Sequence, residues 1–308
     1  MQNSAYLEHQ HINQLIAQDN ANAKHLDNYY TAAMSIIASH LQDFYREYAT
    51  DTGLSLTQVS QSVNGWDLAN FKQAIDTLMQ DVTPDSNLRK RIAVAQAQAM
   101  IDKKHTMAAI VGAGIAAATF KAQQYSNQEL PNQFTKEFNY RSPTNYQKKQ
   151  LPSEPKDNIK DFNNRLWVHS DVMVTRTQET LNNALRKGVD QAGMNKLTQV
   201  KSQSTKRTSD NLSSSANDLV SRVQIAFRIT AINNTNAGKS DAYHNITANY
   251  VKWITQEDTH VCPQCEPLDG NVYPVSGAPK PQIDTHFQCR CSTIRCNADG
   301  DLQDVYPD

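Results

Sequence analysis

Between residues 22 and 50, apolar side chains return at alternating steps of three and four: Leu26, Tyr30, Ala33, Ile37, Leu41, Phe44 and Tyr48. That period puts them on one stripe of an amphipathic helix. Asp51, Thr52 and Gly53 end the run. Ser55 and Gln58 then have capping-box spacing, in which the hydroxyl and the amide satisfy exposed backbone donors at a new helix start. A further helix is predicted over 67–80, with Leu68, Phe71, Ile75, Leu78 and Met79 inward. Pro84 breaks the pattern and 88–105 resumes it. The most apolar stretch, 107–120, is shorter than the roughly 20 residues a spanning helix needs. Its Ala and Gly content suits a buried packing helix, and no stable membrane insertion is expected.

Residues 126–160 hold Pro131, Pro143, Pro152 and Pro155 among many Asn, Gln and Lys, which predicts an irregular arm. Helical pattern returns over 161–192. The Ser/Thr-rich, basic stretch 201–215 predicts a flexible hinge, in which Lys201, Lys206 and Arg207 could contact an anion. A last helix is predicted over 216–243. The strand-like runs 250–255, 271–275 and 289–295 follow, with Asp269 and Gly270 as a tight turn between the first two. The expected class is α+β: a mainly helical N-terminal body with a small C-terminal β-hairpin module. The expected divisions are a helical domain at 1–125, the arm at 126–160, a helical segment with hinge at 161–215, and a C-terminal domain at 216–308.

Charge adds little to this picture. Thirty Lys and Arg against thirty-one Asp and Glu leave a net charge of −1, so no global field recruits nucleic acid. The first residues carry neither a basic nor an apolar signal region, and reduced thiols are therefore expected.

Cysteine placement changes the picture. The chain has 5 Cys, the first of them at position 262. Cys262 and Cys265 form a CxxC pair, and His286, Cys289 and Cys291 follow. Two thiolates from one tight turn, completed by a second pair further on, are what a tetrahedral zinc ion requires. One structural zinc is expected, with Cys262 and Cys265 as the secure half. His286 with Cys291 is favoured for the other half over Cys289 with Cys291, although spacing alone leaves the three open. Cys296 reads as a bystander. A catalytic metal is disfavoured because the acid/base pattern of zinc deaminases is missing. A nuclease of treble-clef type would recruit Asp284 and His286. Asp258, Glu266 and Asp269 read as turn and surface carboxylates.

The ordered set Asp258, Cys262, Cys265, Leu268-Asp269-Gly270, Pro279, Pro281, His286, Cys289, Arg290 and Cys291 resembles the signature of the phage Mu F-like family of minor head proteins of tailed phages. The similarity spans about 220–295. Shorter likenesses lie at Phe162 to Trp167 and from Phe44 to Ser55. Arg228, Ile229 and Thr230 stand where the family often has Arg-Thr-Glu, and Phe287 stands where it usually has Pro. Neither departure touches the expected ligands.

The resemblance implies a non-enzymatic minor capsid protein for phage head morphogenesis. Such a protein associates with the portal inside the capsid and supports prohead assembly, DNA packaging or ejection. It implies the portal and the major capsid or scaffolding protein as partners, with packaged DNA as a further candidate. The implied locations are the virion interior near the portal and the host cytoplasm during assembly. Two rivals come from other classes: a metal-dependent nuclease, and a zinc-containing DNA-binding protein using Lys201, Lys206, Arg207 and Arg222.

Overall fold

A computed structural model describes residues 4–142, 155–200, 211–255 and 262–303. Among the described residues, eight α-helices come first: α1 (Ser4–Tyr48), α2 (Leu56–Val59), α3 (Gly65–Leu78), α4 (Ser86–Ala99), α5 (Lys103–Arg141), α6 (Lys156–Lys187), α7 (Gln191–Thr198) and α8 (Leu212–Asn245). Three short strands follow, β1 (Tyr250–Ile254), β2 (Val272–Pro274) and β3 (Ser292–Cys296), in an antiparallel sheet of order β2-β1-β3. The class is the expected α+β. The chain divides into two compact units, each built from separate segments.

One unit comprises His25–Tyr125 and Asn163–Gln224. The stripe from Leu26 to Phe44 is buried here, so each return of the helical period brings another apolar side chain out of water. The apolar run in α5 is also buried. A Cβ added at Gly114 would lie 2.7 Å from Ile37 Cδ1, so the small residue is what lets α1 and α5 approach. Among the described residues, no helix is long and apolar enough to cross a membrane. Asn64 caps α3, accepting from Trp66 N and Asp67 N, while Asp67 accepts in return from Asn64 N. After the turn at Gly53 (φ 98°), Leu54 and Val189 exchange backbone hydrogen bonds of 2.7 and 2.8 Å. Arg91 stacks 4.3 Å over Trp167, whose indole N–H donates to Gln123.

The other unit comprises Met1–Lys24, Ser126–Phe162 and Ile225–Asp308. The expected irregular arm is corrected for 156–160, which is helical in α6, and for 126–141, which is helical in α5 and carries Leu130, Phe134 and Phe138 buried at helical spacing. Pro131 removes one backbone donor. Burial of the two phenylalanines outweighs that loss, and Asn234 on α8 donates its amide to Leu130 O at 2.9 Å. Residues 143–154 of the arm and 201–210 of the hinge lie outside the described residues. The rest of the hinge enters α8, whose start is fixed by Asn211 accepting from Ser214 N.

Ile12 packs with Ile254 and Ile294, and Phe162 meets Phe227 edge to face. Behind them lies a buried charge cluster. Arg141 donates to both carboxylate oxygens of Glu8 at 2.7 Å and to Glu137 at 2.8 Å. His11 Nε2 lies 2.6 Å from Glu137, and Lys239 bonds Ser292. Burial alone would raise the Glu8 carboxyl, but Arg141 and Lys239 hold it down at about 2. Balanced pairing of this kind is what makes buried ions tolerable.

Candidate metal centre

The sheet places the cysteines. Val251 opposite Tyr273, and Trp253 opposite Thr293, fix the registers of β1 with β2 and with β3. The side chain of Trp253 is fully buried among Cys265, Cys289 and Cys291, with Cys262, Leu268 and Tyr273 around it. The CxxC segment closes into a knuckle. Cys265 N and Glu266 N both donate to Cys262 O at 2.9 Å, and Gln264 N points at Cys262 Sγ at 3.4 Å.

The Leu268-Asp269-Gly270 turn locks that knuckle to the sheet. Asp269 accepts from Thr255 N at 2.8 Å, and Gly270, at φ 73°, donates to Trp253 O. Asp269 is therefore a structural clamp, as its turn position suggested. The second half of the cluster repeats the device, with Cys289 N donating to His286 O across Gln288 at φ 61°.

Two sets of donor atoms result, each within 4.8 Å: Cys262, Cys265 and His286, and Cys265, Cys289 and Cys291. Cys265 belongs to both. The cluster could hold a metal ion, and the donor spacing fits one. Cys265 Sγ and Cys289 Sγ are 3.6 Å apart, close to the edge of about 3.8 Å that follows from metal–sulfur bonds of about 2.3 Å in a tetrahedron. They are far too distant for a disulfide. The His286 Nδ1 lies 3.0 Å from the Phe287 carbonyl. A carbonyl only accepts, so Nδ1 carries the proton and the Nε2 lone pair is left for an ion. Burial, with the neighbouring Cys289, pushes the Cys265 thiol up, whereas a hydrogen bond from Cys291 draws Cys289 down despite its burial.

Cys289 and Cys291 precede β3, so strand alternation is not what brings them together. Cys296 is buried inside β3 and belongs to neither set. Asp284 accepts from Lys280 N at 2.8 Å, and among the described residues it shares no donor set with His286. Arg222 lies 3.6 Å from Asp218. Asp258, Lys201, Lys206 and Arg207 lie outside the described residues.

Sequence reasoning assigned no role to Arg290, Asp19 or Arg228. Arg290, set between two thiols, donates to both oxygens of Asp19 in α1. Arg228 on α8 lies 3.5 Å from the same carboxylate and donates to Asn20 and to Gln288 in the second knuckle. A signal existed: Glu8, Ile12, Asp19 and Asn22 continue upstream the stripe that begins at Leu26, at steps of four, seven and three, and all four are buried.

Residues 175–294 match the family model described as Phage Mu protein F like protein. This is the family whose signature the cysteine motif resembles, and the matched stretch contains every expected metal ligand. Neither the curated proteins nor the solved structures yielded a match.

Proposed function

We propose that this chain is a minor capsid protein of a tailed phage, acting in head morphogenesis, with a C-terminal module held together by one structural zinc ion. The observation that carries the reading is the match of residues 175–294 to the Mu F-like model. The polar helical composition agrees with it. We assign the portal as its principal contact, with the major capsid or scaffolding protein and packaged DNA as further partners. Its place is the capsid interior near the portal, reached from the host cytoplasm during assembly.

For the metal, Cys262, Cys265 and His286 supply three ligands. The fourth comes from Cys289 or Cys291, which share the other donor set with Cys265; the Cys289 sulfur stands at a tetrahedral edge length from Cys265. Four soft, closed donors with no open position suit structural zinc, which contributes folding energy, better than a hydrolytic centre.

The test is the composition of purified particles. The protein should be found in proheads and virions and should co-purify with the portal. Particles made without it should fail in assembly, packaging or ejection. Normal particles lacking the protein, or metal-dependent DNA cleavage lost on His286→Ala with the fold intact, would overturn the reading.

A further inference from the structure

A cavity of about 430 Å³ opens between α8, the Ala278–Pro281 stretch and the sheet. That volume lies within the range of ligand sites, which are mostly apolar with a few convergent polar groups. One wall is apolar, with Val251, Val275, Pro279 and Ile283. Ile283 is 64% exposed, an uncompensated apolar side chain at the rim.

The facing wall is polar and fixed. Asn233 and Asn236 sit one helical turn apart on the same face. Asn233 Oδ1 accepts from Gln282 Nε2 at 2.8 Å, which leaves its amide N–H₂ to donate. Asn236 Nδ2 donates to Pro281 O at 3.1 Å, which leaves its carbonyl oxygen to accept. The loop that orients them is itself held, since Gln282 N donates to Thr285 Oγ1 and Gln282 Nε2 also reaches Ile229 O. A set donor beside a set acceptor matches the N–H and C=O groups of a peptide backbone.

We propose that this cavity binds an extended, uncharged peptide segment of a partner protein, its backbone read by Asn233 and Asn236 and one aliphatic side chain or proline seated against Val251, Pro279 and Ile283. Charge favours this occupant over nucleic acid. Asp241 and Lys280 line the cavity with opposite charges, and Lys239 is already committed to Ser292 and the buried Glu137. A phosphate backbone would meet a carboxylate beside its one cation, where it needs several cations. The site does not use the cysteine cluster, so it stands whether or not the metal reading holds. It goes beyond the head-protein reading by giving the chemistry of a partner.

The experiment screens the full-length protein against an immobilised library of capped heptapeptides with randomised aliphatic, proline, polar and acidic positions. Retained peptides should share an aliphatic residue or proline at one position. Their affinity should fall at least about tenfold in Ala237→Trp, which fills the cavity, and in Ile283→Ser. Ile283→Ser alters only an exposed side chain and keeps the test valid if the tryptophan variant misfolds. Retention of no peptide, or equal binding by wild type and both folded variants, overturns the proposal. So does selection of acidic peptides only, which would make the site a cation patch.

Discussion

Arg290 Nε donates to Asp19 Oδ2 at 2.8 Å across 271 positions of sequence. The pair is nearly dry, with Arg290 7% and Asp19 2% exposed. The arginine stands between two cysteines, so the loop that gathers the thiols is tied directly to α1. Removing Arg290 leaves the buried Asp19 carboxylate only the longer contact of 3.5 Å to Arg228. Arg290→Ala should destabilise the protein by about 3–5 kcal/mol in urea unfolding. Arg290→Lys should recover only part of that, because an ammonium cannot reproduce the two-pronged contact. The double change with Asp19→Ala should cost less than the sum of the single changes.

Metal content separates the five cysteines. Purified protein should carry one zinc per chain by elemental analysis. Cys265→Ser, which removes the donor common to both sets, should abolish it, whereas Cys296→Ser should keep it. Chelation should shift Trp253 emission to the red, since that indole is fully buried among the thiols. An unchanged spectrum with zinc removed would show that the cluster packs without an ion.

Acid should weaken the charge cluster in a defined window. The Glu8 carboxyl lies at about 2 in the folded chain against an ordinary 4.5. A depressed folded value means that its stabilisation is present above pH 4.5 and is lost as pH falls toward 2, because only the unfolded chain takes up the proton. The shift corresponds to about 3 kcal/mol. Urea unfolding of wild type between pH 5 and 2 should therefore fall more steeply than that of Glu8→Gln, which has no proton to gain there.

Helix α8 approaches α5 at Gly238, where an added Cβ would lie 2.4 Å from Phe134 O. Backbone cannot rotate aside as a side chain can. Gly238→Ala should cost about 1–3 kcal/mol despite the better helix propensity of alanine. Gly277→Ala, where a Cβ meets nothing within 4 Å, is the control and should be close to neutral by thermal unfolding.

What could be read from sequence followed from how each feature is encoded. The stripe from Leu26 to Phe44 and the strands around Tyr250 and Asn271 are local periodicities, so one window of sequence holds the whole signal. The cysteine cluster was legible because metal ligands must be soft donors at short spacing. The start of α1 was hidden because its inward positions include Glu8, Asp19 and Asn22, whose partners lie far along the chain. Residues 126–141 were obscured by Pro131, since tertiary burial of Phe134 and Phe138 overrides a local breaker. Asn233 and Asn236 gave no signal, because their orientation depends on loop residues 45 to 49 positions later.

The pairing of Asp19 with Arg290 also sets a clock. Chains grow at about 5–20 residues per second, so roughly 15–55 seconds separate the synthesis of these two residues. Glu8 waits similarly for Arg141, 133 positions later. Throughout that interval both carboxylates stay solvated on a nascent chain, and the unit they belong to cannot close. Its closure therefore waits for the cysteine-bearing segment to emerge and is not triggered when the first helix forms.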